Sequence, residues 1–130
     1  MCIFKKIKEM YMKHLNNKVE HYWNIYHFDM EPNHTSYNNE GDAFKHCYSQ
    51  AEFTLFLGAK IAKFIGDKHE ENNPYNTPEE KAMDLHNNEQ GRIVGKEVKK
   101  NILWLFDNWQ DKTARLIMDK MNNGELITKP

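Results

Sequence analysis

Apolar side chains recur every three or four residues along most of this chain, and no segment alternates apolar with polar as a half-buried strand would. From Ile3 to about Phe28 the recurrence runs through Ile3, Phe4, Ile7, Met10, Tyr11, Leu15, Val19, Tyr22, Trp23 and Tyr26, with Lys and Glu on the other side. It predicts an amphipathic first helix whose aromatic stripe faces the core. Asp29 to Asn39 is rich in turn formers and has no period, so it predicts a loop. A second helix is expected from Gly41-Asp42 to Ile65, with Gly66 as its left-handed stop. Phe44, Cys47, Tyr48, Ala51, Leu55, Gly58, Ala59, Ala62 and Ile65 give it a broad apolar face. Phe53, Phe56, Leu57, Ile61 and Phe64 extend that face nearly all round, the pattern of a central helix. Gly58 and Ala59 would let a neighbour approach closely.

Glu71 to Asn76 reads as a polar loop, and Thr77-Pro78-Glu79-Glu80 as an explicit helix start. Thr77 caps, Pro78 takes the first position where its missing N–H costs nothing, and Glu80 closes a capping box. A third helix follows to about Gly91 or Gly95. A fourth is expected over Lys96 to Asn108 with Val98, Ile102, Leu103, Leu105 and Phe106 inward, and Asp111 to Met121 continues it or forms a fifth. The expected architecture is an all-α single-domain bundle of four to five helices over residues 1–130. It divides into an N-terminal helix (1–28), a polar-motif core (40–95) and C-terminal helices (96–123).

Length and composition narrow the function classes. A chain of 130 residues with 39% apolar residues and a net charge of -1 can bury one modest core and carries no basic excess of the kind phosphate-backbone binding needs. Lys5, Lys6, Lys8 and Lys13 read as a solvated helix face, so no nucleic-acid signature emerges. Cys2 and Cys47 are the only cysteines, too few for a disulfide framework or a thiolate zinc site. No apolar run approaches the roughly 18 residues of a membrane span and no signal-peptide pattern opens the chain, so a cytoplasmic protein is expected. Heavy use of Asn and Lys hints at an AT-rich genome such as a phage's, which would make the location a host cytoplasm.

The chemistry concentrates in three polar blocks set within helical segments: Gly41-Asp42-Ala43-Phe44-Lys45-His46, Gly66-Asp67-Lys68-His69-Glu70, and Met83-Asp84-Leu85-His86-Asn87-Asn88 with Gly91-Arg92. Asp42 and His46 are four apart, one turn of helix, a geometry that suits two metal ligands or an Asp orienting a basic His, unless Asp42 is merely a helix cap. His69-Glu70 is expected in a turn, where both can aim inward. Asp84, Asn88, Gly91 and Gly95 share a stripe, and two helix-interior glycines imply close approach of a helix or ligand. Convergence of helices two and three would place Asp42, His46, His69 and Asp84 as ligands of a divalent metal, Zn, Mn, Mg or Ca. It would make His46, His69 and Glu70 the catalytic groups, and Lys45, Asn88 and Arg92 the binders of an anionic substrate. His34 and Tyr37 in the preceding loop, and His86 or Asn87, are secondary candidates. His14 and His21, without a carboxylate one turn on, are not expected to ligate.

These blocks resemble an uncharacterised family of small helical domains in bacteria and phages, found also in polymorphic-toxin-like proteins. The family pattern reads Asp-Ala-Phe-Arg-His, Gly-Asp-x-His-Glu and Met-Asp-Leu-x-Asn-Asn-x-x-Gly-Arg. It is matched here by Asp42 to His46, Gly66 to Glu70 and Met83 to Arg92, with Lys45 in place of the usual Arg. The resemblance covers about residues 40–95 and implies a site without naming a reaction.

The leading expectation is a small metal-dependent hydrolase acting on a phosphoester or other anionic substrate. The alternative is a non-enzymatic binder, of phage-inhibitor type, that sequesters a small anionic ligand or a host protein. A third is a bundle with a purely structural buried polar network.

Overall fold

The computed structural model describes residues 2–130. Five α-helices follow one another: α1 Ile3–Tyr26, α2 Glu40–Leu57, α3 Ala59–Glu71, α4 Pro78–Lys99 and α5 Trp109–Asn122, with a short 3-10 turn at Trp104–Phe106. No strand occurs among the described residues, and none of the described helices is long and apolar enough to cross a membrane.

The centre of the bundle is α2 against α4, and small residues are what bring them together. A Cβ on Gly91 would stand 2.4 Å from the Cys47 carbonyl oxygen and 2.9 Å from its Cα; one on Gly95 would stand 2.9 Å from the Ala51 carbonyl and 2.8 Å from the Thr54 Cβ. The two backbones are therefore nearly touching along the stripe that carries Asp84 and Asn88. α3 folds back beside this pair, α5 closes it from the other side with Ala114, Ile117 and Met121, and α1 lies across α2. Leu15, Val19 and Tyr22 of α1 enter an aromatic-rich core with Phe28, Phe44, Tyr48 and Trp109. Phe44 stacks on Phe28 with ring centroids 4.8 Å apart.

Local signals explain the helix ends. Asn39, not Asp42, caps α2: its side-chain oxygen accepts the Asp42 N–H at 2.9 Å, and its own amide donates to the Thr35 carbonyl at 2.7 Å. α4 opens with the expected capping box, Thr77 accepting the Glu80 N–H at 3.1 Å and Glu80 accepting the Thr77 N–H at 3.2 Å. The Glu80 carboxylate also accepts from the Tyr37 hydroxyl at 2.7 Å and the Asn38 amide at 3.0 Å. These donors, Tyr37 first, hold its pKa down to about 2.

Several sequence expectations give way. The helix predicted to reach Ile65 breaks at Gly58, whose φ of 92° is a backbone state side chains rarely adopt, and Gly66 lies inside α3 and stops nothing. Gly58 serves that break and no close contact, because a Cβ there would meet nothing within 4 Å. The third helix runs past Gly91 and Gly95 to Lys99. The predicted helix over Lys96 to Asn108 dissolves after Lys99 into turns, with Ile102 91% and Phe106 84% exposed and Leu103 and Leu105 also outward. The apolar stripe of α1 is core only in its C-terminal half; Ile3, Phe4, Ile7 and Met10 stand on the surface, as do Phe56, Leu57, Ile61 and Phe64. Periodicity marks a face as apolar but does not say that a neighbour is long enough to cover it.

Candidate functional site

Because Asn39 performs the capping, the Asp42 side chain is free to turn into the bundle. It is buried, accepts the Asn38 N–H at 2.7 Å, and meets His46 one turn later on α2. Asp84 arrives from α4, brought within reach by the contact at Gly91. The His46 Nε2 lies 3.3 Å from Asp42 Oδ1 and 3.3 Å from Asp84 Oδ1. One ligand-capable atom from each of the three residues lies within 4.8 Å of the others. On the other side of the ring, His46 Nδ1 lies 3.0 Å from the Asn88 carboxamide oxygen. An Asn88 that accepts there places a proton on Nδ1 and turns Nε2 toward the two carboxylates.

Glu70, at the end of α3, is the third carboxylate of the cluster. Asn76, in the loop before α4, bridges it to Asp84, its amide reaching Glu70 Oε2 and Asp84 Oδ2 at 3.4 Å each. α3 comes close enough because Gly66 carries no side chain: a Cβ there would stand 2.8 Å from the Gln50 amide and 3.0 Å from that of Asn88. Two buried oxygens in the cluster, Glu70 Oε1 and Asp84 Oδ1, have no hydrogen-bond partner. The Asp84 oxygen thus feels the charge of His46 without an aligned bond to it.

Burial and like charge decide the protonation here. Burial pushes the Asp84 carboxyl up to about 7 against the lowering effect of His46, and the carboxylates of Asp42 and Glu70 add to the rise. Burial works in the same sense on Asp42, but the hydrogen bond and charge of His46, the Asn38 N–H and Lys45 together hold Asp42 below its ordinary value. Burial would lower the His46 pKa, yet Asp42 and Asp84 overrule it and raise it. The shifts thus favour an Asp42 carboxylate paired with a protonated His46, and let Asp84 take a proton more readily than an ordinary carboxylate.

His46 and Asn88 also line a groove of about 510 Å³ between α1, α2 and α3. His69 lies on its wall, exposed, and is not among the three converging residues; the expected turn at Gly66 is helix, so His69 and Glu70 point apart. The His69 pKa is lowered, first by desolvation of its groove-facing side and then by the positive charges of His46, Lys8 and Lys45, against the opposing effect of Glu70. Lys45 lines the same groove and donates to the Ser36 carbonyl at 3.2 Å. Arg92 does not reach the cluster. It donates to the Gln50 side chain at 2.8 Å and borders a second groove with Asp67, Glu70, Glu71 and Glu89.

The secondary candidates are occupied elsewhere. His34 pairs with Glu20 at 2.7 Å, and Tyr37 is tied to Glu80. His86 meets the Glu125 carbonyl at 2.8 Å, and Asn87 pins the C-terminal tail by donating to the Ile127 carbonyl at 2.8 Å and accepting its N–H at 3.0 Å. Cys47 packs in the core, its thiol near the Asn87 carbonyl. His14, which has no carboxylate one turn on along α1, pairs instead with Glu52 of α2 at 2.9 Å. Asn39, Asn76 and Gln50 also shape the site, beyond the residues that the polar blocks point to. Gln50 was detectable as a polar residue inside an apolar helix face, whereas Asn76 is one Asn among several in a loop and carries no signal of its own.

No curated protein and no solved structure shows significant similarity to the chain. A family model does match, over residues 7–125, nearly the whole chain and more than the 40–95 segment that carries the polar blocks. The chain therefore belongs to the family described as Domain of unknown function (DUF6973).

Proposed function

We propose that the domain is a metal-dependent hydrolase of an anionic ester, a phosphoester foremost, with a divalent cation held by Asp42, His46 and Asp84. The convergence of two carboxylate oxygens and an imidazole nitrogen within 4.8 Å carries this reading. The unpartnered buried oxygens of Asp84 and Glu70 support it, as does the gathering of the Asp42, Asp84 and Glu70 carboxyl groups beside one imidazole. The donor set of oxygens with one nitrogen suits Mn, Mg or Zn better than a thiolate-seeking metal.

A bound cation would supply Lewis-acid polarisation of the ester oxygen. The chain's own residues do the rest. Asn88 fixes the His46 ring, Lys45 offsets substrate charge, and a neutral His69 offers a hydrogen bond at the groove wall. Hydrolysis then places the water oxygen on the phosphoryl or acyl fragment and a proton on the departing alcohol. Arg92, turned to the other groove, has no part in this scheme.

A second reading is a non-catalytic domain that captures an anionic ligand or a host protein. It is favoured by the side-chain exposures of 7%, 13% and 9% at Asp42, His46 and Asp84, which leave a cation little open coordination. Metal analysis and calorimetric titration of purified protein with Mn and Zn, alongside His46→Ala, test the centre. Release of phosphate or alcohol from generic phosphoesters by the loaded protein then separates the two readings. A wild type that takes up no metal while correctly folded removes the hydrolase.

A further inference from the structure

We infer that the groove between α1, α2 and α3 binds a single-chain amphiphile with a phosphate head. As a substrate class this rests on the hydrolase reading above; as a binding site it does not. The groove wall divides by chemistry. Phe4, Ile7 and Leu15 of α1 and Phe53 of α2 supply apolar surface, while Lys8, Lys45 and Lys68 bring cations from three different helices. None of the residues that line it is acidic, in a chain with 19 Asp and Glu and a net charge of -1. Carboxylates stand behind two of these cations, Asp42 3.9 Å from Lys45 and Glu71 3.2 Å from Lys68, but neither faces the groove; the second groove instead mixes Asp67, Glu70, Glu71 and Glu89 with Lys63, Lys81 and Arg92.

Three features select the occupant. The volume of about 510 Å³ lies in the range of small-molecule sites. The apolar lining continues outward onto α1, where Phe4 is 76% and Ile7 55% exposed, so the mouth accepts a tail longer than the groove is deep. Three point-charge ammonium groups and a polar floor of Ser49, Gln50, His46 and Asn88 match a doubly charged head that presents several oxygens better than a single carboxylate. A purely polar anion would leave the apolar wall wet, and a neutral lipid would gain nothing from the cationic side of the groove. The tail therefore lies along α1 and α2, with the head toward Lys45 and the His46 end.

Calorimetric titration of the metal-free full chain, in chelator and below each amphiphile's micelle threshold, tests this with dodecyl phosphate, dodecyl maltoside and inorganic phosphate. Dodecyl phosphate is expected to bind saturably at one site, with the neutral amphiphile and the bare anion each about tenfold weaker or worse, a difference near 1.4 kcal/mol. Ile7→Asp, on an exposed side chain that the core does not need, should weaken dodecyl phosphate about tenfold by adding a carboxylate at the mouth. Lys45→Ala with Lys68→Ala should erase the preference over maltoside. Equal binding of the maltoside by wild type overturns the inference. So does adsorption to anionic phospholipid vesicles that is indifferent to Ile7→Asp and comes without saturable binding of the monomer, which would make this face a membrane surface. Asp84→Asn, outside the groove, should abolish metal uptake and leave dodecyl phosphate binding intact. A wild type that binds metal but no amphiphile thus sinks this inference alone, and one that binds amphiphile but no metal sinks the hydrolase alone.

Discussion

The His46 imidazole is held between Asn88 on one side and Asp84 on the other, with Nδ1 3.0 Å from the Asn88 carboxamide oxygen and Nε2 3.3 Å from Asp84 Oδ1. Asn88 and Asp84 are one turn apart on α4, so a single helix face sets both the orientation of the ring and one of its charge partners.

That relationship makes Asn88 a positioning residue. Asn88→Ala leaves His46 Nδ1 without its acceptor and frees the ring, and metal affinity should fall about 10- to 100-fold while helical circular dichroism is retained. Asn88→Asp keeps an acceptor at the same place and should restore most of the loss. Unchanged affinity in Asn88→Ala would show that the ring is fixed by packing alone.

The cluster predicts an unusual pH profile for the metal-free protein. An unfolded Asp titrates near about 3.9, whereas burial raises Asp84 to about 7 in the folded state, so between these values the folded chain holds a proton the unfolded chain has lost. Stability from Asp84 is therefore lost as pH rises from about 4 to about 7. His46, with its folded pKa raised, contributes stability below the unfolded value of about 6.5 that is lost as pH rises through the folded value. Asp42, with its pKa lowered, acts oppositely, its contribution present above the unfolded value and lost only as pH falls through the folded one. Thermal melts in chelator should thus decline from pH 5 to pH 8. Asp84→Asn should flatten the slope, and added Mn or Zn should restore stability most at the alkaline end, where the ligands need not shed protons. An identical slope in wild type and Asp84→Asn would refute the assigned shift.

Gly91 should be the least replaceable glycine. A Cβ there meets backbone atoms of Cys47, which cannot swing aside, so Gly91→Ala should cost about 1–3 kcal/mol or more by chemical denaturation and should also weaken metal uptake by moving Asp84 away from His46. Gly66→Ala meets only the far ends of Gln50 and Asn88 and should cost less. If Gly91→Ala is as stable as wild type, α2 and α4 do not approach as closely as described.

Much of this was decided by local sequence. The all-α class followed from three- and four-residue periodicity, the start of α4 from Thr77-Pro78-Glu79-Glu80, and the close contact along α4 from Gly91 and Gly95, because each of these signals acts within a turn or two of helix. The pairing of Asp42 with His46 was likewise within reach of one helix face.

Only the tertiary structure decided what covers what. Whether a stripe such as Ile3, Phe4, Ile7 and Met10 is core depends on the length of the neighbour, and α1 extends beyond its cover. Whether Gly58 or Gly66 breaks a helix depends on where the chain must turn to let α3 fold back, and it turns at Gly58. The same fold-back separates His69 from the cluster, keeps Glu70 in it through Asn76, and leaves Arg92 bonded to Gln50 at the second groove. Residues adjacent in sequence project about 100° apart on a helix, so membership of a site built from three helices is fixed by their packing and not by the motif that carries them.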